Sequence, residues 1–221
     1  MWPQAVIFDL DGVLTDTAAC HYEAWKQMAQ RENLYFDRAM NQQLKGVSRM
    51  HSLEIILREN GREGTYPPER MAFLAGWKNE AYQRLLQDLT RRDILPGIAA
   101  FLDQLQNAGI KMAVASASEN ADTVLERLEI RNRFDYVARA KEIKRGKPDP
   151  EIFLTCAGHL GILPKQCVGI EDAQAGIEAI KAGRMFAVGI GVEVRTVRPD
   201  LELTSTAELT LERIVRGGRD E

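Results

Sequence analysis

The chain has 221 residues, and its 29 Lys and Arg against 32 Asp and Glu give a formal net charge of −3. Hydrophobic residues make up 45% of the chain and charged residues 28%, which is typical of a globular protein. This composition excludes intrinsic disorder and collagen-like repeats, and it offers no cationic excess with which to bind nucleic acid.

The first predicted element is a buried strand over residues 5–8, an apolar run that ends at Asp9. Apolar residues at spacings of three and four then predict helices over residues 17–40, 52–59 and 68–89. The last of these begins with proline, which the first turn of a helix tolerates. No strand-like run interrupts residues 17–90, so we expect this part of the chain to be all-helical.

From about residue 94 onward, strands alternate with helices. The predicted helices cover residues 98–107, 121–128, 151–159 and 173–181, and the predicted strands cover residues 111–115, 136–137, 167–170 and 185–189. Such alternation is typical of a parallel sheet with helices on both faces. We expect the last residues, 216–221, to be frayed.

The predicted fold class is therefore α/β, with a Rossmann-like parallel sheet core and an inserted all-helical cap domain. Residues 1–15 supply the first strand and residues 94–221 the others, so together they form the predicted catalytic core domain. Residues 16–93 form the predicted helical cap domain.

Ligands of open parallel sheets bind beyond the carboxyl ends of the strands, so residues at those ends are candidate functional residues. Asp9 and Asp11 follow the first predicted strand, and Gly12 permits a tight turn that would let both carboxylates reach one site. The alternative is an ordinary turn in which one aspartate caps a helix. Because this spacing is common, the motif alone leaves both interpretations open.

Two further motifs suit a phosphate. Ser116, Ala117 and Ser118 follow the second predicted strand, where a hydroxyl and backbone N–H groups can bind an anion. The alternative is an ordinary helix N-cap, which Ser118 or Asn120 could supply. Lys147 lies in a loop stiffened by proline, where its ammonium could face an anion, although a lone loop lysine is more often solvated.

Glu171 and Asp172 stand at the end of the strand predicted over residues 167–170. Paired carboxylates offer hard oxygen ligands to Mg²⁺, although Asp172 could instead cap the following helix. Four acids, a serine and a lysine thus occur along the chain in the loops and turns where a parallel sheet places its ligand-binding residues. Unrelated capping would rarely produce this arrangement, so the set as a whole favours an active site.

On these residues the sequence resembles the haloacid dehalogenase superfamily over essentially the whole chain. Residues 9–15 are similar to the first motif of that family, Ser116 to the second, Lys147 to the third and Glu171 with Asp172 to the fourth. The resemblance implies a Rossmann-like core with a helical cap inserted after the first motif.

The resemblance also implies a mechanism and a metal. Asp9 is expected to be the nucleophile that forms an aspartyl-phosphate, and Asp11 to exchange a proton with the substrate oxygen. Mg²⁺ is the implied cofactor, and its implied ligands are Asp9, the backbone carbonyl of Asp11, Glu171 and Asp172. The phosphate-binding residues implied in the core are Ser116, Ala117 and Lys147.

A second set of residues lies in the predicted cap. Thr17, His21 and Trp25 are spaced by four, so they share one helix face. With other cap residues and residues 116–120, they make the chain similar to the β-phosphoglucomutase-like subfamily. The implied substrate-binding residues are Thr17, His21, Trp25, Leu44, Lys45, Gly46, Val47, Ser48, Ser52, Lys78, Ser118, Glu119 and Asn120, and Arg49 is implied to bind a phosphate.

This closer resemblance implies a phosphomutase that interconverts β-D-glucose 1-phosphate and glucose 6-phosphate through an aspartyl-phosphate and a sugar bisphosphate. The alternative within the same superfamily is a sugar-phosphate phosphatase, in which water completes the reaction. A binding protein without activity is the alternative from another class. The four carboxylates argue against it, because their mutual repulsion costs stability.

Individual cap residues have simpler interpretations as well. Trp25 could be an ordinary core residue and His21 a satisfied surface residue. Lys45 with Arg49 could form a solvated basic face. Two positions depart from the subfamily pattern: Glu119 stands where its mutases carry lysine, and Trp77 where an arginine usually precedes the cap lysine.

The remaining expectations concern partners and location. We expect a small phosphosugar substrate, a monomer, and no nucleic-acid or membrane partner. The first residues lack the basic and apolar segments of a signal peptide. Cys20, Cys156 and Cys167 form no paired motif, which is typical of reduced thiols in a cytoplasmic protein.

Overall fold

The computed structural model describes residues 2–44 and 47–218. The chain divides into two compact units, one made of residues 1–16 and 90–221 and the other of residues 17–89. These are called the core unit and the cap unit below. The predicted domain boundaries, at residues 15/16 and 93/94, lie near these positions.

The strands and helices follow the predicted order. The strands are β1 Ala5–Phe8, β2 Lys111–Val114, β3 Tyr136–Val137, β4 Cys167–Glu171, β5 Phe186–Ile190 and β6 Leu201–Leu203. The α-helices in the part of the chain that the structure describes are α1 Ala18–Arg31, α2 Arg38–Gln42, α3 Arg49–Glu59, α4 Pro68–Leu85, α5 Ile98–Asn107, α6 Ala121–Arg127, α7 Glu151–Leu160, α8 Gln174–Ala182 and α9 Leu211–Gly217.

The core unit contains a six-stranded sheet in the order β3-β2-β1-β4-β5-β6, with every pair parallel. Side chains of the buried central strand β1 point alternately to the two faces. On one face, Ile7 lies in an apolar cluster with Phe153 of α7 and Ile180 of α8. On the other, the Phe8 ring lies 6.0 Å from that of Phe101 in α5. Helices therefore cover both faces, which confirms the predicted α/β core.

The strand register brings the ends of three strands level with one another. Phe8 pairs with Val114 of β2 on one side and with Ile170 of β4 on the other. The amide of Asp9 donates to the Ile170 carbonyl at 2.9 Å, and the amide of Ala115 donates to the Phe8 carbonyl at 2.7 Å. The residues that follow β1, β2 and β4 therefore lie together at the edge of the sheet where ligands bind.

The cap unit contains only helices and loops within residues 17–44 and 47–89. Its apolar core includes Trp25 and Met28 of α1, Leu53 and Ile56 of α3, and Leu74 of α4. Each helix contributes apolar residues spaced by three or four, so one stripe of each is buried. This agrees with the all-helical prediction for this part of the chain.

The single helix predicted over residues 17–40 is wrong, because the structure has two. Helix α1 ends at Arg31, and Asn33 adopts a φ of 54°, a left-handed conformation that asparagine tolerates. Asp37 then caps α2, its carboxylate accepting the amide of Met40 at 2.8 Å. Leu34, between the two helices, still packs into the cap core, so the apolar pattern continues through the break.

Other differences lie at element ends. Helix α3 begins three residues before the predicted start, and α4 is followed by a 3₁₀ turn over Leu86–Asp88. Strand β6 and helix α9 were not predicted. Residues 216 and 217 are not frayed, because α9 continues to Gly217 after its N-cap, Thr210, accepts the amide of Arg213 at 3.2 Å. Of the helices described, none is both long and apolar enough to cross a membrane.

Candidate active site

Lys147 lies at the centre of a buried charge cluster beyond the ends of β1 and β4. Its Nζ donates to Oδ1 of Asp9 at 2.6 Å and to Oε1 of Glu171 at 2.5 Å. The ammonium also lies 5.1 Å from the centroid of the Phe153 ring. All three charged side chains are buried, so water screens their attraction only weakly. The structure thus joins three predicted site residues that are far apart in the sequence.

The charges in this cluster shift one another's protonation. Burial raises the pKa of Asp9 well above its ordinary value despite the opposing effect of Lys147, and the Glu171 and Asp172 carboxylates add to the increase. Burial acts to lower the pKa of Lys147, but the Asp9 and Glu171 carboxylates outweigh it and raise that pKa. Lys147 is therefore a permanent cation, whereas the acids around it repel one another.

Glu171 is held through both of its carboxylate oxygens. While Oε1 accepts from Lys147, Oε2 accepts the backbone amides of Asp172 and Ala173, each at 2.9 Å. Gly176, in the first turn of α8, lies against this carboxylate, and a Cβ at that position would overlap it. The glycine therefore leaves the space that Glu171 occupies.

Asp172 completes a group of acids suited to a cation. Carboxylate oxygens of Asp9, Glu171 and Asp172 lie within 4.8 Å of one another. Gly12 turns the chain after β1 with a φ of 81°, and a Cβ there would overlap the Asp172 carboxylate. Three hard oxygen donors at this spacing, with space kept for them by glycine, fit a divalent cation such as Mg²⁺.

Asp11 is half-buried in the turn that follows β1. The amide of Gly12 donates to the Thr15 carbonyl at 2.7 Å, and the amide of Thr15 donates to the Leu10 carbonyl at 3.2 Å. These bonds close the loop tightly, so Asp11 is held beside the end of β1 that carries Asp9. Its role in proton exchange remains a prediction.

The predicted phosphate-binding turn follows β2. Ser116 is buried, and its Oγ accepts the amide of Ser118 at 3.1 Å, while Oγ of Ser118 accepts the amide of Asn120 at 3.2 Å. The serines therefore stabilise the turn before α6. The N-cap residue of that helix is Asn120, whose side chain makes no capping hydrogen bond, so the capping interpretation does not account for these residues. These two bonds do not use the hydroxyl hydrogens, so both serines keep a donor for an anion. Ala117 lies in the same turn.

Glu119 and Trp77, the two residues that depart from the subfamily pattern, each lie near a positively charged side chain. Nζ of Lys141 lies 3.4 Å from Oε2 of Glu119, so a lysine from another loop of the core unit faces this acid. In the cap unit, the Arg31 guanidinium lies 5.4 Å from the centroid of the Trp77 ring.

In the cap unit, α1 and α4 bring a second group of predicted residues together. The Nζ of Lys78 lies 2.9 Å from Nδ1 of His21 and faces the rings of Trp25 and Tyr82, 4.9 and 4.6 Å from their centroids. The hydroxyls of Thr17 and Tyr82 are 2.9 Å apart. Lys78 is only 2% exposed, so this lysine is not a solvated surface charge.

His21 is a neutral imidazole in this arrangement. Burial lowers the pKa of His21 well below its ordinary value, and the positive charges of Lys78 and Arg49 lower it further. An ammonium group can only donate hydrogen bonds, so Nδ1 of His21 accepts from Lys78 and the ring proton lies on Nε2. The imidazole therefore presents one defined N–H donor.

The other predicted cap residues have structural explanations as well. Ser48 caps α3 by accepting the amide of His51 at 3.3 Å, and Oγ of Ser52 donates to the Ser48 carbonyl at 3.0 Å. Leu44 is buried in the cap core, and Val47 packs against it. The substrate roles of these four residues stay predictions. The predicted residues Lys45 and Gly46 lie outside the described residues.

Sequence reasoning missed three residues that shape these groups. Tyr82 contacts three of the predicted cap residues, and its position four residues after Lys78 on α4 is the signal that could have revealed it. Gly176 and Phe153 contact the buried charges of the core unit. Their roles depend on how α7 and α8 pack on the sheet, which local spacing does not show.

Comparisons with known proteins show which proteins the chain is similar to. Residues 3–184 match the family described as haloacid dehalogenase-like hydrolase. The chain is 48% identical over 209 residues to the β-phosphoglucomutase of Bacillus subtilis (strain 168), covering 95% of this chain and 92% of that one. It is 32% identical over 185 residues to fructose-1-phosphate phosphatase YqaB of Escherichia coli (strain K12), covering 84% and 95%. A crystal structure of β-phosphoglucomutase from Clostridium difficile matches with a TM-score of 0.96 and 42% identity, covering 98% of this chain and 97% of that chain.

We predict that Gly176→Ala destabilises the protein, because the added methyl group overlaps the Glu171 carboxylate and disturbs its bond to Lys147. The expected loss exceeds about 1 kcal/mol in the free energy of unfolding, measured by urea denaturation. Gly158→Ala is the matched control, since it lies in helix α7 with open space around its Cβ, and should gain up to about 1 kcal/mol. Equal effects of the two substitutions would contradict the packing described here.

We also predict that His21 stays neutral when ordinary histidines become charged. Because its folded-state pKa is lowered, the unfolded chain binds this proton first, so stability should fall as the pH drops below about 6.5. Histidine ¹⁵N NMR titration should show His21 still without charge at a pH where an unperturbed histidine is already protonated, with His21→Gln used to assign the signal. A His21 titration centred near pH 6.5 would contradict the buried arrangement.

Proposed function

Since the chain belongs to the haloacid dehalogenase-like hydrolase family, we propose that it is a phosphomutase that interconverts β-D-glucose 1-phosphate and glucose 6-phosphate. One observation carries the proposal: Lys147 holds Asp9, which forms a group of three acids with Glu171 and Asp172 at the strand ends. The chain that contains this group is 48% identical to a β-phosphoglucomutase over nearly its whole length. The relatives named as mutases and the cap residues together favour isomerisation over simple hydrolysis.

Asp9 is the nucleophile in this proposal. In one half-reaction the free hydroxyl of the sugar monophosphate attacks the aspartyl-phosphate, so the sugar becomes a bisphosphate and Asp9 is released as a carboxylate. In the other, a carboxylate oxygen of Asp9 attacks the second phosphorus of the bisphosphate, and the bond between that phosphorus and the sugar oxygen breaks, which restores the aspartyl-phosphate. The strand register and the bond to Lys147 hold the Asp9 side chain in one place, which favours in-line attack.

Asp11 is proposed to move the proton. When the phosphate leaves the sugar, Asp11 donates a proton to the sugar oxygen, and it takes a proton from the hydroxyl that attacks the aspartyl-phosphate. The compact turn closed by Gly12 and Thr15 keeps this side chain beside the end of β1. One residue can then serve both half-reactions, since each step regenerates the form of Asp11 that the other needs.

Charge on the transferred phosphoryl group is proposed to be balanced by Lys147, Ser116 and the backbone at Ala117. Lys147 supplies a permanent cation, and the buried Ser116 hydroxyl and the Ala117 backbone amide supply hydrogen-bond donors. Asp9, Glu171, Asp172 and the Asp11 carbonyl are the proposed ligands of Mg²⁺, which would keep Asp9 ionised and neutralise phosphoryl oxygens.

The cap residues are proposed to bind the sugar and the phosphate that is not transferred. Arg49 provides a planar guanidinium that can bind phosphate through two hydrogen bonds. Lys78 and His21 provide an ammonium and an N–H donor in fixed positions. A mutase needs such contacts because the sugar bisphosphate must stay bound while it turns around, and because the aspartyl-phosphate must react with a sugar hydroxyl before water reaches it.

The second candidate is a sugar-phosphate phosphatase, which the 32% identity to a fructose-1-phosphate phosphatase supports. The two functions share the chemistry at Asp9 and differ in what attacks the aspartyl-phosphate. The location and assembly of the enzyme are also proposals. Three free cysteines, two of them buried, support a reducing cytoplasm, and a site composed of residues from one chain supports a monomer.

A single assay tests the proposed function. The protein is incubated with β-glucose 1-phosphate, Mg²⁺ and a trace of the bisphosphate, and glucose 6-phosphate and free phosphate are both measured. We predict that glucose 6-phosphate is the main product and that Asp9→Asn abolishes its formation, because an amide cannot attack phosphorus. Free phosphate as the main product would favour the phosphatase, and substantial turnover by Asp9→Asn would remove Asp9 from the nucleophile role.

The metal proposal has a direct binding test. Asp172→Ala removes one carboxylate of the acidic group, so the affinity for Mg²⁺ measured by calorimetry should fall at least about tenfold. Activity should recover in part at high Mg²⁺ concentration, because the other proposed ligands remain. Asp103→Asn is the control, since Asp103 is an exposed acid of the core unit that pairs with Arg133. Unchanged Mg²⁺ affinity in Asp172→Ala would contradict the ligand assignment.

Arg49→Ala separates the cap residues from the chemistry at Asp9. Loss of a charge-assisted phosphate contact should cost on the order of 3 kcal/mol in kcat/KM for isomerisation. Phosphorylation of Asp9 by acetyl phosphate should persist, because that small donor has no second phosphate to bind. Arg58→Ala, an exposed arginine on the same helix, should leave both activities unchanged. Normal isomerisation by Arg49→Ala would show that Arg49 is a solvated surface residue.

A further inference from the structure

Tyr82 is fully buried in the cap unit and contacts three of the proposed substrate-binding residues in three different ways. Its hydroxyl lies 2.9 Å from Oγ1 of Thr17. Its ring lies 4.1 Å from the His21 ring, at an angle of 32°. Its ring face also lies 4.6 Å from the Nζ of Lys78. An ordinary core aromatic would contact apolar side chains, whereas each of these contacts is to a polar group.

These contacts compensate a buried ammonium group. Lys78 is 2% exposed, so water cannot solvate its charge fully. The rings of Tyr82 and Trp25 present their negative faces to Nζ, and Nδ1 of His21 accepts one of its hydrogens. Removing the Tyr82 ring takes away one of these compensating groups and the surface against which the imidazole stacks.

The same contacts define the imidazole. The bond from Lys78 to Nδ1 requires the ring proton on Nε2, and it forms only if the His21 ring keeps its orientation. The Tyr82 ring stacks on this imidazole, while its hydroxyl holds Thr17, which lies one turn before His21. Tyr82 thus contacts Thr17, the N-cap of α1, and His21 one turn later. It thereby holds the polar face of α1 against Lys78 of α4.

We propose that Tyr82 is a positioning residue, which holds Thr17, His21 and Lys78 in place and keeps His21 as the Nε2–H tautomer within the proposed phosphosugar site. The proposal rests on the proposed mutase function and deepens it. Tyr82 does not itself touch the substrate; it acts through the tautomer of His21 and the positions of Thr17, His21 and Lys78.

Two variants of Tyr82 separate the ring from the hydroxyl. Tyr82→Leu removes the ring, and we expect kcat/KM for isomerisation to fall at least about tenfold and the ¹⁵N signals of His21 to show a mixture of tautomers. Tyr82→Phe keeps the ring, so His21 should keep the single Nε2–H tautomer while kcat/KM falls only about threefold. Tyr66→Phe is the matched control, because it removes a hydroxyl elsewhere in the cap, near Glu32, and should change neither measurement.

A double-mutant cycle tests the hydroxyl contact. Tyr82→Phe and Thr17→Val each remove the same hydrogen bond. The double variant should therefore lose less kcat/KM than the fold-losses of the two single variants multiplied together. Urea denaturation of each variant shows whether it is folded, which separates a lost contact from a general folding defect.

The outcomes distinguish this proposal from the proposed function. If the wild-type protein does not isomerise the substrate, the mutase function is wrong, and the His21 tautomer still tests the positioning role. If the wild type isomerises and folded Tyr82→Leu keeps both the single tautomer and wild-type kcat/KM, the positioning role is wrong. If Tyr82→Leu does not fold, the cycle decides, because independent effects of Tyr82→Phe and Thr17→Val would overturn the proposal.

Discussion

The burial of one ammonium group between two carboxylates is the constraint on which the site depends. Lys147 reaches Asp9 at 2.6 Å and Glu171 at 2.5 Å, in an environment where an uncompensated charge would be costly. With Asp172, the group contains three carboxylates and one ammonium, an excess of two negative charges when all are ionised. That excess matches a divalent cation, and it explains why burial and neighbouring acids raise the pKa of Asp9 when no cation is bound.

The cap unit also buries a positive charge, that of Lys78. This lysine lies within hydrogen-bond distance of a neutral histidine and faces two aromatic rings, which stabilise its charge. In the proposed function, the core unit carries the chemistry common to phosphatases and mutases, and the cap residues carry the choice of substrate.

Most of the core site could be predicted because its residues follow strands in chain order. Asp9, Ser116 and Glu171 stand at the ends of predicted strands, and parallel pairing brings such ends together. Long-range packing was not predictable, because the roles of Tyr82 and Gly176 depend on which helices meet. Strand β6 was missed because it has only three residues, too few for a clear pattern. The break at Asn33 was missed because the apolar period of α1 continues through it, since Leu34 packs into the same core.

The measurement that tests the account most directly is the identity of the residue that carries phosphate during turnover. Wild-type protein would be quenched with acid while it converts β-glucose 1-phosphate, then digested and analysed by mass spectrometry. We expect the mass of one phosphoryl group on the peptide that contains Asp9, and none on the corresponding peptide of Asp9→Asn. Formation of glucose 6-phosphate with phosphate on another residue, or on none, would contradict the account.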